Sequence, residues 1–191
     1  MVHKRTTDEL KAERAKNSEQ ATRTPISVVV DNVRSLDNVG LIFRLCDLAR
    51  IDKLYLTGYT GHPRIQDDNR REDLIARHER RIMKTAVYAL DQQPWEYVED
   101  PVALIKRLKE EQGAQVVALE QTDTSVMYHQ AVYRLPLVLV VGHEREGVRA
   151  ELLELADTIV EIPVLGAGNS HNVATATGIA LYKILETTGR V

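Results

Sequence analysis

The chain has 191 residues, 43 % of them hydrophobic and 28 % charged, which suits one α/β domain with a core and argues against two. A net charge of −3 argues against nucleic-acid binding through bulk charge, leaving only a local basic patch for that purpose. One cysteine, Cys46, excludes an intrachain disulfide and fits a reducing compartment.

The first 24 residues are polar, with six Lys/Arg against four Asp/Glu. They have no apolar stretch of the kind a secretory signal needs, and no run elsewhere reaches the length of a membrane span. The expected location is the cytoplasm. Residues 1–24 read as an N-terminal helical extension, with the helix over 7–19, ahead of a main domain over 25–191.

From residue 25 onward, short β-branched runs alternate with helical patterns. Strands are expected at 26–30, 53–56, 115–119, 137–141 and 158–162, and helices at 38–50, 70–86, 101–112, 148–155 and 172–186. Strands that are apolar at consecutive positions imply a mostly parallel sheet with helices on both faces, an α/β fold. In the helix at 38–50, Val39, Ile42, Phe43, Cys46 and Ala49 share a face and Arg44 falls off it. In the segment 70–86, Ile75, Ile82 and Ala86 share a face, and Arg70, Arg77, Arg81 and Lys84 form a cationic stripe opposite. That stripe is either an RNA contact or a solvated face balanced by Asp67, Asp68, Glu72, Asp73 and Glu79. The last helix carries small residues that permit close approach, to another helix or to a second subunit.

In three places a strand runs directly into a loop holding Gly, Asn, Ser or an acid: VVVDNVRSLDNVGLIFR, LVLVVGHEREGV and EIPVLGAGNSHNVATA. Ligands of open α/β sheets bind at the carboxyl ends of strands, so the three loops are expected to converge on one pocket. The phosphate-binding, dinucleotide, nucleophile-elbow and metal-ligand patterns are all missing from the sequence, so no metal is expected.

The set resembles the SpoU (TrmH-like) branch of the SPOUT superfamily, the knotted AdoMet-dependent RNA ribose 2′-O-methyltransferases. The first motif of that family, Asn-x-Gly-x-x-x-Arg, stands here as Asn38 to Arg44. The second, Gly-x-Glu-x-x-Gly, is Gly142 to Gly147. The third is Ile162-Pro163 followed by Ser170-His171-Asn172-Val173. The likeness covers roughly residues 25–186, and the three motifs occur in order. His171 stands where the family has Leu, Val164 where Met is frequent, and the charged stretch 66–81 resembles an insertion.

The resemblance implies an α/β knot with a deep C-terminal trefoil, a homodimer with its pocket near the interface, and S-adenosyl-L-methionine (AdoMet) as cofactor. It implies methylation of a ribose 2′-hydroxyl in tRNA or rRNA, tRNA being favoured because no appended RNA-binding domain is seen. It makes Arg44, Asn38, Glu144, Ser170 and Asn172 the catalytic set. Leu119, Glu120, Gln121, Gly142, Ile162 and His171 become the cofactor site. From elementary chemistry, a guanidinium is a poor base, and a phosphate clamp that stabilises developing oxyanion charge is the easier role for Arg44. Read from residues alone, Asn38, Ser170 and Asn172 are equally good helix caps. Two other readings stay open here: a catalytically impaired RNA-binding protein of the same fold, motivated by His171 and the pI of about 6.1, and a small-molecule enzyme with no RNA partner.

Overall fold

The computed structural model describes residues 2–6, 8–9 and 22–191. Most of the helix expected over 7–19 lies outside the described residues. At its start, the Thr6 N–H donates to Glu9 Oε2 at 2.6 Å and the Glu9 N–H donates to Thr6 Oγ1 at 3.3 Å, the reciprocal bonds of a capping box.

The main chain then forms β1 (Thr24–Asp31), α1 (Leu36–Leu48), β2 (Ile51–Thr57), α2 (Glu72–Ala86), α3 (Ala89–Gln92), β3 (Trp95–Val98), α4 (Pro101–Gln112), β4 (Gln115–Leu119), β5 (Val126–Met127), β6 (Leu137–Val141), α5 (Ala150–Leu153), β7 (Thr158–Glu161) and α6 (Val173–Thr187). Seven strands make one sheet in the order β3-β2-β1-β6-β4-β7-β5, with every pairing parallel. All carboxyl ends therefore lie on one rim.

The strands are apolar on both faces because both are covered. Val28 and Val30 face a core built with Ile42 and Phe43 of α1, Ile82 of α2 and Ile184 of α6. Val29, one residue out of phase, faces a second core with Leu104 and Leu108 of α4 and Leu152 of α5. β1 and β6 are central and wholly buried but for Pro25. Arg23 fastens the way in: its guanidinium donates to the Ile51 carbonyl at 2.9 Å and the Gln92 carbonyl at 2.7 Å.

The five expected strands and the longer helices are present, with boundary shifts that have local causes. α1 begins two residues early, because Ser35 caps it and accepts the Asn38 N–H at 3.3 Å. α2 begins at Glu72, so Arg70 precedes it. The helix expected over 148–155 contracts to a single turn. β3 and β5 were not expected: both are short edge strands, half-buried or exposed, without an apolar run. Trp95 of β3 packs edge-to-face on Phe43, with ring centroids 5.8 Å apart. Cys46 is buried and free, and burial pushes its thiol far above the ordinary range, as befits a core residue. No helix among the described residues is long and apolar enough to cross a membrane.

Candidate active site

The rim carries the site. After β6 the chain makes a tight turn from Gly142 to Val148, closed by paired His143 and Gly147 main-chain bonds of 3.0 and 2.9 Å. Three side chains fix this turn. His143 is buried, and its Nδ1 accepts the N–H groups of Arg145 (3.1 Å) and Glu146 (3.0 Å), which leaves the ring proton of the neutral form on Nε2. Glu120, just past β4, accepts the Val148 N–H at 2.7 Å. Asp31, fully buried at the end of β1, forms a two-pronged ion pair with Arg149 at 2.8 and 2.9 Å and accepts the Thr57 hydroxyl at 2.8 Å.

The turn so held aims Glu144 at α1. Its carboxylate accepts the Arg34 N–H (3.1 Å), the Ser35 N–H (3.0 Å) and the Asn38 side-chain amide (3.1 Å). Burial pushes the Glu144 carboxyl up, but the bonds from Ser35, Arg34, its own N–H and Asn38 outweigh that and hold it below its ordinary value. Asn38 is buried, and its Oδ1 accepts the Asn172 amide at 3.0 Å. Asn172 also caps α6, accepting the Ala174 and Thr175 N–H groups at 3.0 and 3.2 Å. Glu144, Asn38 and Asn172 thus form one chain of hydrogen bonds linking the three loops.

Beside this junction lies an open cleft. Leu119, Glu120, Gln121, Gly142, Ile162 and His171, the six residues expected to hold a cofactor, all line it, and Ser170 joins them. Leu119, Val141, Ile162, Val173 and Ala176 give it an apolar part and Glu120, Gln121, Glu144, Glu161 and Ser170 a polar one, a mixture suited to a ligand with a flat ring and a polar tail. The His171 ring points back at the Pro163 carbonyl, 3.3 Å away. No group of His, Cys, Asp and Glu among the described residues could hold a metal ion.

Several residues have roles the sequence did not reveal. A Cβ on Gly142 would stand 2.3 Å from the Gly147 carbonyl oxygen, so the turn itself requires a glycine at this point of the cleft wall. A Cβ on Gly40 would stand 2.4 Å from the Ile82 carbonyl oxygen, so Gly40 lets α2 cross α1 closely. Glu120 lines the cleft with its carboxylate already bonded to the Val148 and Gln121 N–H groups. Asn38 is not the helix cap. Arg44 is exposed on α1 and does not line the cleft within this chain.

The cationic stripe divides. Arg70 leaves it: its guanidinium binds Asp68, the His62 carbonyl at 3.0 Å and the Pro63 carbonyl at 2.9 Å, pinning the loop before α2. That bonding holds the Asp68 carboxyl well below the usual range. Arg81 bonds Asp37 at 2.6 Å and, with Arg34 and Arg145, lines a groove beside Asn38 and Glu144. Arg77 lines the adjoining depression with Arg81, while Lys84 is exposed further along α2. Arg34 and Arg145 escaped notice in the sequence, although Arg145 lies inside the 142–147 motif.

These features place the molecule among open parallel α/β proteins that take their ligand at the carboxyl rim of the sheet. Within that class, the chain belongs to the SpoU rRNA Methylase family, whose model matches residues 25–182. It is similar to the tRNA (guanosine(18)-2′-O)-methyltransferase of Aquifex aeolicus, 33 % identical over 156 residues, which are 82 % of this chain and 66 % of that one. It is similar to the 23S rRNA (guanosine-2′-O-)-methyltransferase of Pasteurella multocida, 28 % identical over 166 residues, 87 % of this chain and 62 % of that one. The chain therefore spans two thirds or less of these relatives' length. Among solved structures, the A. aeolicus TrmH/SpoU tRNA modifying enzyme superposes with a TM-score of 0.75 at 29 % identity, over 95 % of this chain and 86 % of that one. The AdoMet-bound rRNA methyltransferase from Sinorhizobium meliloti gives a TM-score of 0.69 at 26 % identity, over 84 % of this chain and 56 % of that one.

Proposed function

We propose that the protein is an AdoMet-dependent RNA methyltransferase acting on a ribose 2′-hydroxyl, with tRNA favoured over rRNA and the cytoplasm as its place of work. The observation that carries this reading is the Glu144–Asn38–Asn172 junction, which stands where the cofactor cleft meets the arginine-lined groove. The names of the similar proteins, tRNA and 23S rRNA 2′-O-methyltransferases, support it.

AdoMet supplies an activated methyl group on a sulfonium. Leu119 and Ile162 would give the cofactor an apolar wall, and the backbone at 119–121 and 142 would give it polar contacts. Glu144 positions Asn38, and Asn38 with Asn172 fixes the floor on which the ribose rests. Alignment of this kind carries much of the rate in a transfer between two bound partners. Glu144 acts as a positioning residue, since its oxygens already accept bonds from Arg34, Ser35 and Asn38. Arg44 clamps phosphate and stabilises the charge that develops on the hydroxyl oxygen.

Because Arg44 stands outside the cleft of its own chain, the reading includes a homodimer that brings Arg44 to the site. Leu41, Leu48 and Tyr182 are exposed on the same side of α1 and α6, where Leu45 meets Gly178, and offer the apolar surface for a second copy. The deep C-terminal knot belongs to the same reading. It is supported by the placement of β6 between β1 and β4 and by the return of α6 from β7 to α1.

Calorimetry with AdoMet, followed by transfer of labelled methyl to bulk tRNA and rRNA, tests the proposal. Micromolar cofactor binding and ribose labelling of tRNA are expected. Cofactor binding without transfer to either RNA would favour the impaired RNA-binding protein, and labelling of a small molecule instead would favour the third reading.

A further inference from the structure

The groove beside Asn38 and Glu144 continues into a second depression. Arg34 and Arg81 line both, and Tyr59, Arg77 and His78 line the second. Tyr59 is 56 % exposed, large for an aromatic next to a functional site. Its position is nonetheless fixed. Its main-chain N–H donates to Asn32 Oδ1 at 3.0 Å, and its ring stands edge-on to His143, with centroids 6.2 Å apart and planes at 74°. His143 is the residue that braces the turn carrying Glu144, so Tyr59 packs beside that turn with more than half of its surface exposed.

The arginines of the surface divide into those that bond a carboxylate and those that do not. Arg64, Arg70, Arg71, Arg81 and Arg149 each bond a carboxylate. Arg34, Arg77 and Arg145 are exposed and form no ion pair among the described residues. Unpaired guanidinium groups set around an outward aromatic ring are what a phosphodiester chain with an unstacked base requires: phosphates take the charge and the base takes the ring face.

We propose that Tyr59 is a stacking platform for an unpaired base of the RNA, next to the nucleotide whose ribose reaches Asn38, and that Arg34, Arg77 and Arg145 hold the flanking phosphates. The proposal rests on the RNA reading given above and narrows the substrate class. A base inside a duplex has no free face, so the target lies in a loop, bulge or single strand.

The test is fluorescence anisotropy with bulk tRNA, with a single strand of about 12 nucleotides and with a duplex of about 12 base pairs, each from about 50 to 200 mM salt. The proteins are the wild type, Tyr59→Ala, Tyr59→Leu, Tyr59→Phe and the triple Arg34/Arg77/Arg145→Ala variant, each checked for AdoMet binding by calorimetry as a measure of folding. Tyr59→Ala and Tyr59→Leu should bind tRNA and the single strand about 5- to 100-fold more weakly with an unchanged salt slope, and Tyr59→Phe should match the wild type within about twofold. The triple variant should lose about 2 from the slope of log K against log salt. Wild-type affinity in Tyr59→Ala, or equal wild-type affinity for duplex and single strand, overturns the platform alone. RNA binding with these effects but no methyl transfer supports the platform and sinks the enzymatic reading. A wild-type protein that binds no RNA sinks both.

Discussion

The side-chain amide of Asn172 donates to Oδ1 of Asn38 at 3.0 Å, across 134 positions of sequence. Asn172 caps α6 and Asn38 lies in the first turn of α1, so this one bond couples the placement of two helix starts. Glu144 continues the line to the β6 turn.

Glu144 is therefore expected to stabilise the fold as well as the site. Glu144→Ala removes a carboxylate that accepts three bonds, and should cost about 2 kcal/mol and lower Tm by about 4–8 °C. Its carboxyl lies below its ordinary value in the folded protein. Its ionic contribution is accordingly complete above the unfolded value near 4.5, and is lost as pH falls through the lower folded value. Urea midpoints from pH 6 to pH 3 should converge for wild type and Glu144→Gln at the acid end; parallel curves would refute the assignment.

Gly40→Ala is expected to destabilise by about 2–3 kcal/mol through overpacking, because the obstructing atom is the main-chain carbonyl of Ile82 and cannot swing away. Thermal denaturation measures it. A neutral result would mean that α2 moves freely over α1.

Arg70→Ala should lower stability by about 1–3 kcal/mol while leaving RNA affinity and its salt slope unchanged, since its guanidinium is bonded within its own loop. A drop in the salt slope would return Arg70 to the RNA-binding surface.

Arg44→Ala should abolish methyl transfer and leave AdoMet affinity within about twofold, because Arg44 does not line the cleft. Calorimetry beside a single-turnover transfer assay separates the two. A large loss of cofactor affinity would place Arg44 inside the cleft.

The cleft was legible because its parts are strand-to-loop junctions, and a run of β-branched residues followed by Gly, Asn or Ser is visible in one dimension. All six expected cofactor residues line it. The functions of Gly40 and Gly142 were not legible, because a glycine that admits a ligand and one that admits a neighbouring main chain are the same letter. Arg70 was misread for a related reason. Helical periodicity placed it in a stripe, whereas the Asp68 side chain and two loop carbonyls bind it before the helix starts. β3 and β5 lie at the two edges of the sheet, where burial is partial and the apolar run that marks a central strand is missing.

The parallel pairing of β1 with β6, Ile26 to Val30 against Leu137 to Val141, has a consequence for how the molecule comes into being. These two strands form the middle of the sheet, yet most of the chain separates them, so their closure is slow and late compared with any local hairpin or helix. Asn38 follows the first strand and Glu144 the second. The junction therefore has no local precursor: its side-chain bonds join residues 106 and 134 positions apart, so they form only once distant parts of the chain have met.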